Sequence, residues 1–288
     1  MTSETAPIRK RDRIQLATLV GPATLYLVIF FLAPLVIVFV YSFLKRGPYG
    51  QLVWEFNLQN YVRVIDPLYL KIFWNSLLLA LASTIGCLLL AYPFAYYIAR
   101  RPSARTRNIL LIFVMIPFWT NFLIRTYAWR VILGGDGPIN SVLLRLGLIQ
   151  EPLTLLFTNG AVLVGLIYGY LPFMVLPLYA AIDRIDFSLM EAANDLYANG
   201  WQAFRKVLLP LSMPGVVAGS ILVFIPSLGA FVTPDLLGGG KSVMIGNLIQ
   251  SQFLTARDWP FGSAISMVLM AVVLIATLVY FRKGGQTL

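Results

Sequence analysis

The residues that could carry chemistry are unevenly distributed along this chain. Four of the twelve acidic residues fall between positions 183 and 195: Asp183, Asp186, Glu191 and Asp195. The sequence contains no histidine and only one cysteine, Cys87. It therefore lacks the commonest general acid–base and metal-ligating side chain, and it cannot form a Ser-His-Asp triad. We expect no catalytic residue and no metal site, and we interpret the acidic segment as a binding surface.

A glycine-rich segment, DLLGGGKS at 235–242, ends like a phosphate-binding loop. The full pattern requires a first glycine five residues before Gly240, and that position is Asp235. The pattern also belongs between a strand and a helix, whereas this segment follows a long apolar run. We therefore expect that this chain binds no nucleotide and that the glycines allow an outer loop to turn.

Composition indicates that lipid is the main solvent of the chain. Of its 288 residues, 59% are hydrophobic and 12% are charged, whereas a soluble domain has about 25% charged residues. Long charge-free runs exceed the roughly 20 residues that cross a bilayer as a helix. The sequence thus predicts an all-α membrane protein with six transmembrane helices, near 16–41, 74–99, 108–129, 159–182, 213–234 and 260–281.

The net charge of +10 follows the membrane pattern rather than that of a nucleic-acid-binding protein. Basic residues flank the spans in three groups: Arg9, Lys10, Arg11 and Arg13; Arg100, Arg101, Arg105 and Arg107; Arg282 and Lys283. Because basic loops stay on the cytoplasmic side, both termini and the 100–107 turn are predicted to be cytoplasmic. Some basic residues, such as Lys45 and Arg46, fall in an outer loop and weaken the pattern.

We divide the chain into a cytoplasmic tail (1–15), a transmembrane domain (16–281) and a second cytoplasmic tail (282–288). The basic N-terminal residues followed by an apolar run resemble a signal peptide. That run is too long and has no small-residue cleavage site, so we interpret it as a retained anchor. An amphipathic helix is expected in the last outer loop, at 242–256.

Small and helix-breaking residues recur inside the spans. Pro172 and Pro177 fall in the fourth span, where proline either kinks a pathway-lining helix or reflects its general frequency in membrane helices. Two segments, Gly165–Gly169 and Gly215–Gly219, have the small-xxx-small pattern that brings helices close together in lipid. We expect these glycines to pack within the chain rather than between copies.

The acidic segment and the residues after it predict two short helices on the cytoplasmic side. Ser188 and Glu191 have the spacing of a capping box, and Asn199-Gly200 indicates a turn before a second helix. Pro210 and Pro214 are then expected to break the chain before the fifth span. In the alternative interpretation this is a solvated loop in which Glu191 only caps its own helix.

Polar and aromatic side chains lie within or beside the spans at six positions that could line a pathway: Trp119, Asn121, Arg125, Tyr127, Tyr168 and Asp235. An ionisable residue at membrane depth often has a function, so Arg125 is interpreted as a gate or interface group paired with an acid on this or another chain. Alternatively, Arg125 extends to the interface within an aromatic belt.

Glu191-Ala192-Ala193, together with VLLP at 207–210, resembles the EAA loop of the permease subunits of bacterial ABC importers. The resemblance implies a type I permease fold in which the loop at 183–212 docks into a cytoplasmic ATPase. The residues carried over to that docking site are Glu191, Ala192, Ala193, Asp195, Tyr197, Gly200 and Pro210. In the family pattern a glycine follows EAA after three further residues, whereas this sequence has Tyr197 at that position.

Further segments, among them IPFWTNFLIRTYAWRVIL at 116–133 and LPFMVLPLYAAIDRID at 171–186, resemble the first permease subunit of spermidine/putrescine importers. The resemblance covers most of the chain from about residue 55 to 281. It implies a second, similar permease, a cytoplasmic ATPase dimer and a periplasmic binding protein in the bacterial inner membrane. It also implies that ATP and Mg²⁺ bind the ATPase and that this chain binds no cofactor.

Other functions remain open at this point. Related permeases import ferric iron, sulfate or thiamine. A secondary transporter driven by an ion gradient would use acids embedded in the membrane, and such acids are scarce here. A membrane enzyme is a further alternative, but without histidine or an acidic pair inside a span its catalytic groups are hard to assign.

Overall fold

The computed structural model describes residues 10–284. Residues 1–9 and 285–288, which belong to the two predicted tails, lie outside the described residues. Two structural units, each compact, are formed by the described residues before 66 with those after 250, and by residues 66–250. Across the described range, five helices are long and apolar enough to span a membrane, and a sharply bent pair of helices makes a sixth if the pair is counted as one span.

The first unit contains a long N-terminal helix and the last helix of the chain. Its elements are α1 (Lys10–Leu27), a π-helical turn (Val28–Leu32), α2 (Ala33–Ser42), the short strands β1 (Lys45–Arg46) and β2 (Leu52–Val53), α3 (Gln59–Val64) and α13 (Trp259–Gly284). The strands are antiparallel, with Lys45 opposite Val53. Helix α2 packs along α13. Asp258 is buried at the start of α13, where it pairs with Arg63 at 3.0 Å.

The second unit is built around three helices that pack against one another. Its elements are α4 (Pro67–Ala99), α5 (Ala104–Trp119), α6 (Phe122–Ile132), α7 (Pro138–Arg145), α8 (Asn159–Ile182), α9 (Ser188–Asp195), α10 (Gly200–Ala203) and α11 (Leu209–Leu228). Helix α12 (Ile245–Leu254) follows, within the predicted amphipathic segment. Helices α4, α8 and α11 bury small residues such as Cys87 and Ala91 completely, which lets the helix axes approach closely.

The glycine pairs pack inside this unit, which confirms the expected intramolecular packing. A Cβ on Gly215 would lie 2.7 Å from the carbonyl oxygen of Pro177, and one on Gly219 would lie 3.3 Å from Cα of Met174. In both cases the neighbour is the backbone of α8. The absence of a side chain on α11 therefore sets the distance between α8 and α11.

The third predicted span, 108–129, is not one continuous helix. Helices α5 and α6 meet at an angle of 85°. Thr120 has an extended backbone, and its hydroxyl donates to the carbonyl of Pro117 at 2.7 Å. The side chain of Asn121 accepts from the N–H of Leu123 and caps α6. Because a capping asparagine competes with helix continuation, the chain turns there.

The fifth span also differs from the prediction of 213–234. It is a continuous helix from Gly200 to Leu228, formed by α10, a π-helical turn (Phe204–Leu208) and α11. The N–H of Leu209 bonds to the carbonyl of Phe204, five residues earlier. This wider turn accommodates Pro210, which has no N–H to donate and would crowd a tight helix. The predicted break at Pro210 and Pro214 is therefore wrong.

Candidate functional site

The segment between α8 and α11 forms a helix–turn–helix in which α9 is the exposed element. Helix α9 begins at Ser188 as predicted, but the predicted capping box is wrong, because the side chain that accepts from its first N–H is that of Asp186. Its carboxylate accepts from the N–H of Ser188 at 2.9 Å. That backbone hydrogen bond lowers the pKa of Asp186 below its usual value. Glu191 and Asp195 remain exposed and available for another molecule.

Large apolar side chains on and after α9 are exposed rather than packed. Leu189 is 47% exposed, Leu196 81%, Tyr197 97% and Trp201 67%. On α9 itself, Met190 faces inward and packs against the core of the unit. A soluble surface rarely displays so many large apolar groups together unless a partner covers them. Ala192 and Ala193 lie on the same helix and would let a second surface approach its backbone.

The turn after α9 is a Schellman motif whose left-handed residue is Tyr197. Its φ is +60°, a conformation in which glycine is favoured. The N–H of Tyr197 bonds to the carbonyl of Asn194, and the N–H of Ala198 bonds to the carbonyl of Ala193. These are the two hydrogen bonds that define the motif. The bend expected of a glycine at this position is therefore formed with tyrosine instead.

Asn199 and Gln202 form a capping box that starts the next helix. The Asn199-Gly200 pair, predicted as a turn, is therefore the beginning of the helix that continues into the fifth span. Gly200 is its first residue, next to the exposed Trp201. Pro210 lies ten residues further along the same helix, roughly 15 Å at 1.5 Å per residue. The structure thus does not bring Pro210 into the exposed surface formed by α9.

Two contacts tie the ends of the neighbouring spans to this segment. Arg107 of α5 donates to Asp183, at the end of α8, with 2.6 Å between the two atoms. Tyr92 of α4 packs edge-on against Phe204 of the π-helical turn, with 5.4 Å between ring centroids. An apolar cavity of about 560 Å³ lies between α4 and the helix that begins at Gly200. Movement of the helix–turn–helix segment would therefore be transmitted to α4, α5 and α8.

Among the pathway candidates, Arg125 and Tyr168 lie beside the bend between α5 and α6. Both line a small space between α6 and α8, and Tyr168 packs edge-on against Trp129. The guanidinium of Arg125 lies 4.8 Å from the ring centroid of Phe118 and 5.8 Å from that of Phe122. None of the ion pairs between residues 10 and 284 involves Arg125. The predicted pairing with an acid is thus not found within the described chain.

The other pathway candidates do not converge with Arg125. Asn121 uses its side chain to cap α6. Trp119 and Tyr127 are exposed by 77% and 51%, and Asp235 is exposed in a π-helical turn after α11. The glycine-rich segment that contains Asp235 folds against α8, where a Cβ on Gly238 would lie 2.8 Å from a methyl group of Val162.

Sequence reasoning missed three aromatic residues that line a cavity together with Arg125: Phe118, Phe122 and Phe173. Phe118 packs edge-on against Phe173, with 5.1 Å between ring centroids, and Tyr170 lies 6.2 Å from Phe173. The spacing of Tyr170 and Phe173 places both rings on one face of α8. That spacing could have indicated an aromatic face on α8. Nothing in the sequence pattern indicated the bend that brings Phe118 next to these two rings. Within residues 10–284, no cluster of three or more His, Cys, Asp or Glu side chains could hold a metal.

Comparison with known proteins gives concordant matches. Residues 91–283 match the family described as binding-protein-dependent transport system inner membrane component. The chain is 44% identical to the spermidine/putrescine transport system permease protein PotB of Salmonella typhimurium, covering 96% of this chain and 94% of the relative. It is 45% identical to PotB of Escherichia coli, covering 93% and 96%.

The same architecture occurs in a solved structure of distant sequence. A crystal structure of a bacterial ABC transporter involved in the import of the acidic polysaccharide alginate matches with a TM-score of 0.72. The match covers 95% of this chain and 96% of the other, at 20% identity. At that identity the likeness shows a shared fold only.

Proposed function

Because this chain belongs to the family of binding-protein-dependent transport system inner membrane components, we propose that it is the permease subunit of an ATP-driven ABC importer for polyamines such as spermidine and putrescine. The observation that carries the proposal is the extent of the similarity to spermidine/putrescine permeases. That similarity runs along nearly the whole chain rather than along the family segment alone.

The exposed face of α9 is the surface on which a cytoplasmic ATPase would dock. The surface combines Glu191 and Asp195 of α9 with two exposed apolar residues that follow this helix, Leu196 in the turn and Trp201 in α10. A surface with this mixture is suited to a protein groove, because apolar groups supply affinity and charges fix orientation. The contacts of Tyr92 and Arg107 would then pass a movement of α9 to the spans.

The importer would contain further subunits. We infer a second, similar permease, a dimer of ATP-hydrolysing subunits on the cytoplasmic side and a periplasmic binding protein. ATP and Mg²⁺ would bind the ATPase, and this chain would contribute half of the pathway. The basic groups before the first span, between the second and third, and after the last support the proposal that both termini lie on the cytoplasmic side of the inner membrane.

A reconstituted complex tests the coupling role of α9. We expect Glu191→Ala to leave the complex assembled but to abolish ATP-driven spermidine uptake and the stimulation of ATPase activity by the loaded binding protein. Glu151→Ala, at an exposed acid outside the docking segment, is the matched control and should retain wild-type activity. Equal uptake by the two variants would contradict the docking role.

A competition assay tests the cargo. Uptake of labelled spermidine is measured in cells with and without this subunit, in the presence of putrescine, sulfate or ferric iron. We expect putrescine to compete and the two inorganic ions to have no effect. Uptake that depends on this subunit but is inhibited by sulfate or ferric iron instead would refute the polyamine assignment while leaving the importer role intact.

A further inference from the structure

A cavity of about 390 Å³ opens at the bend between α5 and α6. Four aromatic side chains contribute to its wall, two from the bent pair and two from α8: Phe118, Phe122, Tyr170 and Phe173. The ring of Phe122 packs over Gly169, where a Cβ would lie at an ordinary contact distance of 3.6 Å from its nearest atom. The hydroxyl of Tyr170 donates to the carbonyl of Pro226 at 3.3 Å, which fixes that ring against α11.

The cavity lies at the middle of a membrane-spanning helix. Gly169 and Phe173 are the eleventh and fifteenth of the 24 residues of α8 (Asn159–Ile182). A group in the cavity therefore lies near the middle of the length of α8. At this depth a cation needs either an acid or the electron-rich face of an aromatic ring.

The cation present at this depth is the guanidinium of Arg125, and aromatic rings rather than acids surround it. It lies within the cation–π range of Phe118 and Phe122. Its Nε atom is buried and has no hydrogen-bond partner in the described part of the chain. A buried N–H normally has a hydrogen-bond partner, whereas the contacts described for this part of the side chain are those with the two rings.

We propose that this aromatic cavity is a transit site for an ammonium group of the transported solute and that Arg125 is a tethered cation occupying the same site when solute is absent. The proposal rests on the polyamine function proposed above. A polyamine consists of ammonium groups joined by methylene spacers, so rings that accept a guanidinium also accept its charged and apolar parts.

Competition between the guanidinium of Arg125 and the solute's ammonium group makes solute binding weak, which transport requires. When an ammonium group enters, the guanidinium must leave Phe118 and Phe122, so part of the binding free energy is offset. The solute is then held weakly and can move on. Small inorganic cations gain less from aromatic faces because they are more strongly hydrated.

Equilibrium binding tests the proposal on the assembled membrane complex without its binding protein, using radiolabelled spermidine as the probe. We expect Arg125→Gln to increase the affinity by about 2- to 30-fold, the range that corresponds to a lost cation–π competitor. Arg125→Lys keeps a cation and should bind like the wild type. Arg130→Gln, at an arginine outside the cavity, is the matched control and should also leave the affinity unchanged.

A double variant distinguishes the aromatic rings from an acid on another subunit. If the rings hold the probe, adding Phe118→Leu to Arg125→Gln returns the affinity to the wild-type level. If Arg125→Gln instead exposes an acid, Phe118→Leu has no effect and the proposal is overturned. Unchanged affinity in Arg125→Gln also overturns it. Absence of spermidine uptake by the complete wild-type importer, by contrast, refutes the polyamine function and is measured separately.

Discussion

Replacing Gly215 by alanine tests how closely α8 and α11 must pack. The new Cβ would lie 2.7 Å from the carbonyl oxygen of Pro177, 3.2 Å from Cα of Leu178 and 2.5 Å from Cβ of Ala181. Non-bonded carbon atoms prefer about 3.5–4.0 Å, so the two helices must separate by roughly 1 Å. Two of these three atoms belong to the backbone, and a change of rotamer cannot move them away.

The expected cost follows from two opposing terms. Overpacking a close helix contact costs about 1–3 kcal/mol or more, and alanine regains about 0.8–1.0 kcal/mol of helix propensity over glycine. Because the contact is with backbone, we take the upper part of the range and expect the free energy of unfolding to fall by about 2 kcal/mol. At about 2–4 °C per kcal/mol, the Tm of the purified protein should fall by roughly 4–8 °C.

The assay is thermal unfolding in detergent, with Gly160→Ala as the control. A Cβ at Gly160 meets its nearest neighbour at 3.6 Å, an ordinary contact, so that variant should stay within about 0.5 kcal/mol of the wild type. Adding Ala181→Gly to Gly215→Ala should recover part of the loss. If Gly215→Ala unfolds at the same temperature as Gly160→Ala, the close packing of α8 and α11 is refuted.

Three further predictions concern single residues. Tyr197→Gly should slow amide exchange in the turn after α9, because glycine removes a left-handed strain of about 1 kcal/mol and the tyrosine ring is 97% exposed. Asp258→Ala should lower the free energy of unfolding by about 2–3 kcal/mol, since it removes a buried carboxylate that pairs with Arg63 and accepts from the N–H of Phe261. Glu55→Ala, in an exposed ion pair, should cost less than about 1 kcal/mol in the same assay. Amide protection in α9 should fall as the pH drops below the ordinary carboxyl pKa of 3.8, because the lowered pKa of Asp186 gives a stabilisation that is present above that value and lost as the carboxylate is protonated. Asp186→Asn keeps an acceptor and should remove this pH dependence.

Each of these expectations has an outcome that contradicts it. Faster exchange in Tyr197→Gly would mean that the ring, not the backbone, holds the turn. If Asp258→Ala and Glu55→Ala lower the free energy of unfolding equally, burial of Asp258 adds nothing to the stability of its ion pair with Arg63. Protection in α9 that falls equally with pH in the wild type and in Asp186→Asn would assign the effect to other carboxylates.

Much of the fold could be predicted because the membrane restricts the alternatives. The predicted class, an all-α membrane protein with the ABC importer type I permease fold, is confirmed. The fourth span was predicted at 159–182, the bounds that α8 has. The third span was predicted as one continuous helix, and its bend was missed. Asn121 can either cap a new helix or continue the previous one, and which of the two occurs depends on what surrounds Phe118 and Arg125.

The sequence by itself determined the number of spans, the family and the position of the exposed helix, since long apolar runs and the EAA segment are local signals. Only the tertiary structure decided that Tyr197 adopts a left-handed conformation, that the fifth span begins at Gly200 and that aromatic rings surround Arg125. The physical reason is that these features depend on which side chains meet across helices. Those contacts are determined by the angle of the bend between α5 and α6 and by the close approach of α8 to α11. Neither can be read from a local sequence pattern.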